Sequence, residues 1–181
     1  MSKYAVINPA TGETLRSYDS ATDGEVAGAI DMAFNAYRGW SRGSTVAERA
    51  GLITKVADLH RERRQELAEI IVREMGKPIG DALGEVDFSA DIYQYYADNG
   101  PTLLTDEPIT LAEGSEGSAV IRKSAMGVLL GIMPWNFPFW QAVRFAAPAL
   151  MAGNVGLLKH ASNVPQTALY LDTLFTRGGF P

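Results

Sequence analysis

Val128-Leu129-Leu130-Gly131-Ile132-Met133-Pro134-Trp135-Asn136-Phe137-Pro138-Phe139-Trp140-Gln141-Ala142-Val143-Arg144 is the stretch on which the fold turns. Val128 to Met133 is an apolar run short enough for a buried strand. Prolines and aromatic residues then break it, and from Pro138 a helical pattern opens, with proline suited to a first turn. The polar members, Asn136 and Arg144, therefore sit where a strand ends and a helix begins. In open α/β sheets that edge is where ligands bind.

Downstream the pattern recurs. Strand Val128–Met133, helix Pro138–Ala152, strand Val155–Lys159 and helix Pro165–Arg177 give a βαβα order and predict the start of a parallel sheet. Two strands do not bury both faces of a sheet, so the sheet is incomplete in this chain. Gly178-Gly179-Phe180-Pro181 reads as a link to something further. Alone, such a chain is expected to be unstable or self-associating, because it exposes a sheet edge and apolar faces.

Upstream, Asn8-Pro9-Ala10-Thr11-Gly12 is a turn signal between two short alternating pieces, so Tyr4 to Leu15 reads as a hairpin. Residues 22 to 99 read as helical. Thr22 with Glu25, and Thr45 with Glu48, are capping-box signatures. Val26, Ile30, Ala33, Phe34 and Tyr37 follow the first at helical spacing. Leu52, Ile53, Val56, Leu59, Leu67, Ile70, Ile71 and Met75 follow the second, Gly76 ends that helix, and Pro78 starts the next. Phe88, Ile92, Tyr95 and Tyr96 mark one buried face, read as core or subunit contact ahead of a ligand box. After a loop from Gly100 to Pro108, Ser118–Lys123 reads as an edge strand with charged ends.

With 181 residues, 46% of them hydrophobic, the chain can bury a sizeable core. Its net charge of −5 argues against a nucleic-acid partner, which needs a basic face. No apolar stretch approaches the ~18 residues of a membrane span, and Met1 to Ile7 lacks the layout of a signal peptide. There is no cysteine, hence no disulfide and no thiolate metal site. The expectation is a cytoplasmic, metal-free protein with neither membrane nor nucleic acid as partner.

Three polar residues are candidates for chemistry, each with two readings. The Asn136 amide can donate to charge developing on a substrate oxygen, or cap the helix that follows. Arg144, on an otherwise apolar helix, needs an anion, either a protein carboxylate or a ligand's carboxylate or phosphate. Lys159 at a strand's carboxyl end suits a nucleotide's hydroxyls or phosphates, or is a surface lysine. Ser162 and Asn163 read as caps for the helix near Pro165. Neither G-x-G-x-x-G nor a P-loop is present.

Jointly, Pro134-Trp135-Asn136-Phe137-Pro138, Pro148-Ala149-Leu150-Met151-Ala152-Gly153-Asn154 and Leu157-Leu158-Lys159 resemble the aldehyde dehydrogenase superfamily. Asn8-Pro9-Ala10-Thr11-Gly12 and Glu74-Met75-Gly76-Lys77-Pro78 extend the resemblance over essentially the whole chain. It implies an α/β fold with an N-terminal helical region and the first two βα units of a Rossmann-like parallel sheet. Residues 1–110 would be the hairpin and helical region, 111–125 an edge or oligomerisation strand, and 126–181 the start of that sheet.

The resemblance also implies NAD(P)-dependent oxidation of an aldehyde to an acid by a cysteine nucleophile and a glutamate base. Asn136 would be the oxyanion-hole amide, with Phe137 and Trp140 beside the substrate. Met133, Pro134 and Trp135 would line the cofactor channel, and Lys159 would bind the adenosine ribose. Arg144 stands where succinate-semialdehyde dehydrogenases carry an arginine for the far carboxylate. At Ser162 many members carry a glutamate that repels a 2′-phosphate, so a serine implies NADP, preferred or alongside NAD. The block Lys159-His160-Ala161-Ser162-Asn163-Val164 is similar to the NADP-using bacterial type. Family members are more than twice this length, and their nucleophile, base and glycine-rich cofactor turn lie past Pro181. The chain alone is therefore expected to be inactive, part of a homo-oligomeric enzyme for an aldehyde with a distal carboxylate, succinate or glutarate semialdehyde. The competing expectation is a non-catalytic nucleotide-binding or subunit-interaction fragment.

Overall fold

A computed structural model describes residues 4–181; residues 1–3, the start of the segment read for a signal peptide, lie outside them. Strands β1 (Tyr4–Ile7) and β2 (Thr14–Tyr18) form the expected antiparallel hairpin. Helices α1 (Asp23–Gly43), α2 (Val46–Glu62), α3 (Arg64–Met75) and α4 (Ile79–Leu103) follow. Both capping boxes form: Thr22 and Thr45 each accept from the amide three residues on, and Glu25 and Glu48 return the bond. Strands β3 (Glu107–Ile109) and β4 (Ala119–Ile121) pair antiparallel. Then come β5 (Val128–Ile132), α5 (Pro138–Met151), β6 (Val155–Lys159) and α6 (Pro165–Gly178), with β5 and β6 parallel and Val128 opposite Val155.

Helix α5 is the central element. One cluster joins Phe139 and Ala142 of α5 to Leu67 and Ile71 of α3, Val86 of α4, and Leu171 and Leu174 of α6. Another joins Val143, Ala147 and Met151 of α5 to Ile53 and Val56 of α2 and Tyr93 of α4. Against the sheet α5 presents Phe145. A Cβ on Gly131 would stand 2.7 Å from that ring, so only glycine admits the approach. Leu130 and Ile132 alternate with Gly131 and are 63% and 68% exposed, so the opposite face of β5 is bare.

Four details differ from the sequence expectations. The run from Leu52 to Met75 is two helices, broken at Arg63, whose ψ of 15° leaves the helical range. The segment from Gly100, read as loop, stays helical to Leu103, with Pro101 inside the helix. The reason is packing: a Cβ at Gly100 would lie 2.6 Å from Met151 Sδ, so glycine here lets α4 and α5 close up. On α1 only Ala33 and Trp40 are fully buried, while Val26, Ile30 and Phe34 stay about half exposed. That helix packs along β6 and touches β5, and two strands are narrower than its apolar stripe. Finally, Phe88 and Tyr95 are not on the buried face of α4 but 52% and 54% exposed. The buried face runs instead through Ala82, Glu85, Val86, Ser89, Ala90, Tyr93 and Ala97.

His60 of α2 is completely buried between the Tyr93 and Phe139 rings, with Nδ1 2.8 Å from the Val56 carbonyl, to which it must donate. Nε2 has no hydrogen-bond partner among the described residues, so a proton there would be uncompensated. Burial pushes the imidazole down from 6.5 to about 4. The folded state refuses a proton that the unfolded chain accepts below 6.5. Its stabilising contribution is thus whole above 6.5 and is lost as pH falls toward 4. Unfolding free energy should fall by about 2 kcal/mol from His60 between about pH 7 and about pH 5. Urea titrations of the wild type and His60→Gln check this, the variant being expected to show a flatter pH dependence.

Candidate active site

The loops that follow β5 and β6 meet at the carboxyl edge of the parallel pair. The Met133 amide donates to the Lys159 carbonyl at 3.1 Å, continuing the ladder past β5. The two residues expected at the cofactor are thereby side by side. His160 Nδ1 accepts from the Ala161 amide at 2.9 Å, so Nε2 carries the hydrogen and donates to the Pro138 carbonyl at 2.8 Å. That bond ties the β6–α6 loop to the first residue of α5. Burial lowers the His160 imidazole from its ordinary value. The hairpin closes the far side, where the Ala5 amide donates to the Ser162 carbonyl at 3.3 Å.

Neither helix is capped from its own loop, contrary to expectation for Ser162 and Asn163. Val164 is the N-cap of α6 and Phe137 that of α5, and neither helix has a side-chain cap from its N-cap residue. Two buried glutamates from elsewhere do this work. Glu74 of α3 accepts from the Gln166 and Thr167 amides at 2.6 and 2.9 Å and from the Thr167 hydroxyl at 2.6 Å. Glu85 of α4 accepts at Oε1 from the Phe139 and Trp140 amides at 2.9 and 3.2 Å, and pairs through Oε2 with Lys77. A carboxylate at a helix N-terminus satisfies free amides and opposes the dipole. Burial still pushes the Glu74 carboxyl upward, against its hydrogen bonds. Both helix ends, the usual seats for a phosphate, are filled by protein carboxylates.

Sequence reasoning missed both glutamates. A glutamate within a helix looks like a solvated one, and only its near-complete burial, 3% exposure for Glu74 and 4% for Glu85, marks it. Lys77 was missed likewise; its ammonium lies over the Phe137 ring, 3.7 Å from the centroid.

With α5 capped by Glu85, Asn136 is released from the capping role. It is exposed on the turn and has no hydrogen bond among the described residues. Trp135 and Phe137 are also exposed beside it. One helical turn into α5, Trp140 packs on Phe137 and Phe88 at 5.0 and 5.7 Å between ring centroids. Arg144 lies 5.3 Å from the Trp140 ring and, among the described residues, has no carboxylate within ion-pair distance. Trp140 and Arg144 from α5, with Phe88, Asp91, Ile92, Tyr95 and Tyr96 from α4, line one groove, and Asp91 is paired with Arg61 at 3.5 Å. Of the aromatic set, Ile92 and Tyr96 also pack on the core, while Phe88 and Tyr95 are exposed along the groove. Lys159 is exposed, its ammonium 6.0 Å from the Tyr4 ring, and Ser162 is half-buried.

The sequence model of the aldehyde dehydrogenase family matches residues 1–181. The chain belongs to the aldehyde dehydrogenase family. It is 50% identical over 177 residues to the succinate-semialdehyde dehydrogenase [NADP(+)] of Mycobacterium avium (strain 104), covering 98% of this chain and 38% of that protein. The structure superposes on succinic semialdehyde dehydrogenase from Streptococcus pyogenes, solved with NADP+, at a TM-score of 0.92 and 37% identity over 97% of this chain and 38% of that one. Succinate-semialdehyde dehydrogenase from Burkholderia pseudomallei gives 0.91 and 33%, over 98% and 36%. The chain thus spans somewhat over a third of the length of these aldehyde dehydrogenases.

Because Arg144 is exposed and has no ion-pair partner among the described residues, its one contact being the Trp140 ring, removing its charge should not loosen the fold. Arg144→Gln is expected to shift unfolding free energy by less than about 0.5 kcal/mol, as measured by urea denaturation.

Proposed function

We propose that the polypeptide containing this chain oxidises an aldehyde with a distal carboxylate, succinate semialdehyde in the first place, to the corresponding acid. The observation that carries this is Arg144, a guanidinium with no carboxylate within ion-pair distance among the described residues, lining a largely aromatic groove whose one carboxylate, Asp91, is paired with Arg61, two helical turns from Asn136. A carboxylate is the anion that a planar guanidinium binds in bidentate fashion. The 50% identity to a succinate-semialdehyde dehydrogenase [NADP(+)] supports the same substrate. Glutarate semialdehyde, one methylene longer, is the alternative within the class.

In this reading the Asn136 amide donates to the carbonyl oxygen as negative charge builds there, while Arg144 holds the far end and Phe137 and Trp140 flank the chain between. Met133, Pro134 and Trp135 line the cofactor channel, Lys159 takes the adenosine ribose, and Ser162 leaves room for a 2′-phosphate. NADP, with NAD as the second choice, supplies a hydride acceptor when bound. The sequence contains no cysteine, so attack on the carbonyl and activation of water fall to residues outside these 181. The chain by itself would position an aldehyde without turning it over.

We further propose the division of 1–110, 111–125 and 126–181 into helical region, oligomerisation strand and start of the cofactor sheet. The exposed Val120 and Ile121 of β4 support a contact between subunits.

Arg144→Ala should lower kcat/KM for succinate semialdehyde by on the order of 10²-fold, the weight of a charged hydrogen-bonded contact, and barely affect an uncharged aldehyde of equal length. Steady-state kinetics on both substrates decide this, and equal losses would remove the carboxylate assignment. Ser162→Glu should move the NADP/NAD preference toward NAD by roughly 10-fold or more through repulsion of the 2′-phosphate. An unchanged ratio of the two kcat/KM values would refute the role of Ser162.

A further inference from the structure

One carboxylate and one ammonium reach the Asn136 turn from behind. Glu85 Oε1 holds the Phe139 and Trp140 amides, its Oε2 pairs with Lys77 Nζ, and that ammonium lies 3.7 Å from the centre of the Phe137 ring. The side chains are largely buried, with side-chain exposures of 1% for Glu85 and 9% for Lys77. Residues 137, 139 and 140 are thus fixed by one ion pair. On the other side of Asn136, Met133 is fixed to Lys159. The Asn136 side chain has no hydrogen bond of its own among the described residues, so its place is set by backbone held at both ends.

Helix capping alone does not account for the lysine. Glu74 caps α6 in the same way, through Gln166 and Thr167. Among the described residues no cation lies within ion-pair distance of it, and none links it to a ring. What Lys77 adds at α5 is a cation clamped on the residue next to Asn136. A cation desolvated over an aromatic face is held more strongly than an exposed one.

We propose that the Glu85–Lys77 pair is a positioning device for the reaction. Glu85 fixes the first amides of α5, Lys77 fixes the Phe137 ring, and together they aim the Asn136 amide before charge appears on the substrate oxygen. An oxyanion donor works through preorganisation, and small misplacements of reacting groups are costly. This rests on the reading of Asn136 as the oxyanion donor.

The test is a double-mutant cycle in the full-length enzyme, read as the single-turnover rate of cofactor reduction at saturating aldehyde. Lys77→Met keeps an apolar stem on Phe137 and removes the charge, whereas Lys77→Arg restores a cation. Asn136→Ala should slow the step by about 10²-fold, and Lys77→Met by on the order of 10-fold with little change in aldehyde affinity. Lys77→Arg should recover most of that loss. In the Asn136→Ala background Lys77→Met should cost almost nothing more, because its effect passes through Asn136. Should Lys77→Met fail to fold, Lys77→Gln runs the same cycle. A silent Lys77→Met, or a full additional loss on top of Asn136→Ala, overturns the positioning role and leaves the oxyanion reading standing. An Asn136→Ala enzyme that is as fast as wild type overturns both.

Discussion

Two buried glutamates set the geometry on which the rest of this structure depends. A helix that starts inside a protein leaves amides that must find acceptors, and α5 and α6 both start inside. Glu85 and Glu74, borrowed from α4 and α3, supply those acceptors across 54 and 93 residues of sequence. Each also brings a desolvated charge that must be balanced. At α5 the balance is Lys77; at α6 it is the helix dipole and the Thr167 hydroxyl. The turn between α3 and α4 makes both possible. Gly76, with φ of 74°, ends α3 directly after Glu74 and Met75 and sends Lys77 toward Glu85.

This arrangement determines what the carboxyl edge of the sheet can offer a ligand. With both helix ends taken, an anion has to be met by side chains instead of by backbone amides. Arg144 and Lys159 are exposed cations with no carboxylate within ion-pair distance among the described residues. Asn136, relieved of capping, presents an amide on a turn braced on either side. His160 joins the two loops through the Pro138 carbonyl. In the proposed reading the described residues position an aldehyde and complement its charge.

Much of the frame was legible because local signals agreed. The two capping boxes, the Gly76 stop and the alternation of apolar strand and helix each carry their own short-range physics, and strand β6 and the starts of α5 and α6 fell where read. The misreadings share a cause. Phe88, Ile92, Tyr95 and Tyr96 have the spacing of a buried stripe, and Ile92 and Tyr96 do pack on the core, yet α4 leaves Phe88 and Tyr95 exposed because Val86 and Tyr93 make the closer fit to its neighbours. Gly100 and Pro101 look like a helix end, but the approach of Met151 carries the helix on.

By itself, then, the sequence determined the order of elements, the parallel pairing expected of βαβα connectivity, the family, and the residue types at the sheet edge. Those follow from interactions within a few residues, or from motifs read as a string. Only the tertiary structure decided which of those residues are free. Whether Asn136 caps a helix or faces a substrate, and whether Arg144 is paired or waiting, depends on acceptors and anions contributed by distant segments. A carboxylate 51 residues before Asn136 takes the capping role, and among the described residues none stands within ion-pair distance of Arg144, Asp91 of the same groove being paired with Arg61. Hydrogen bonds and charges are satisfied in space, so their vacancies cannot be counted along the chain.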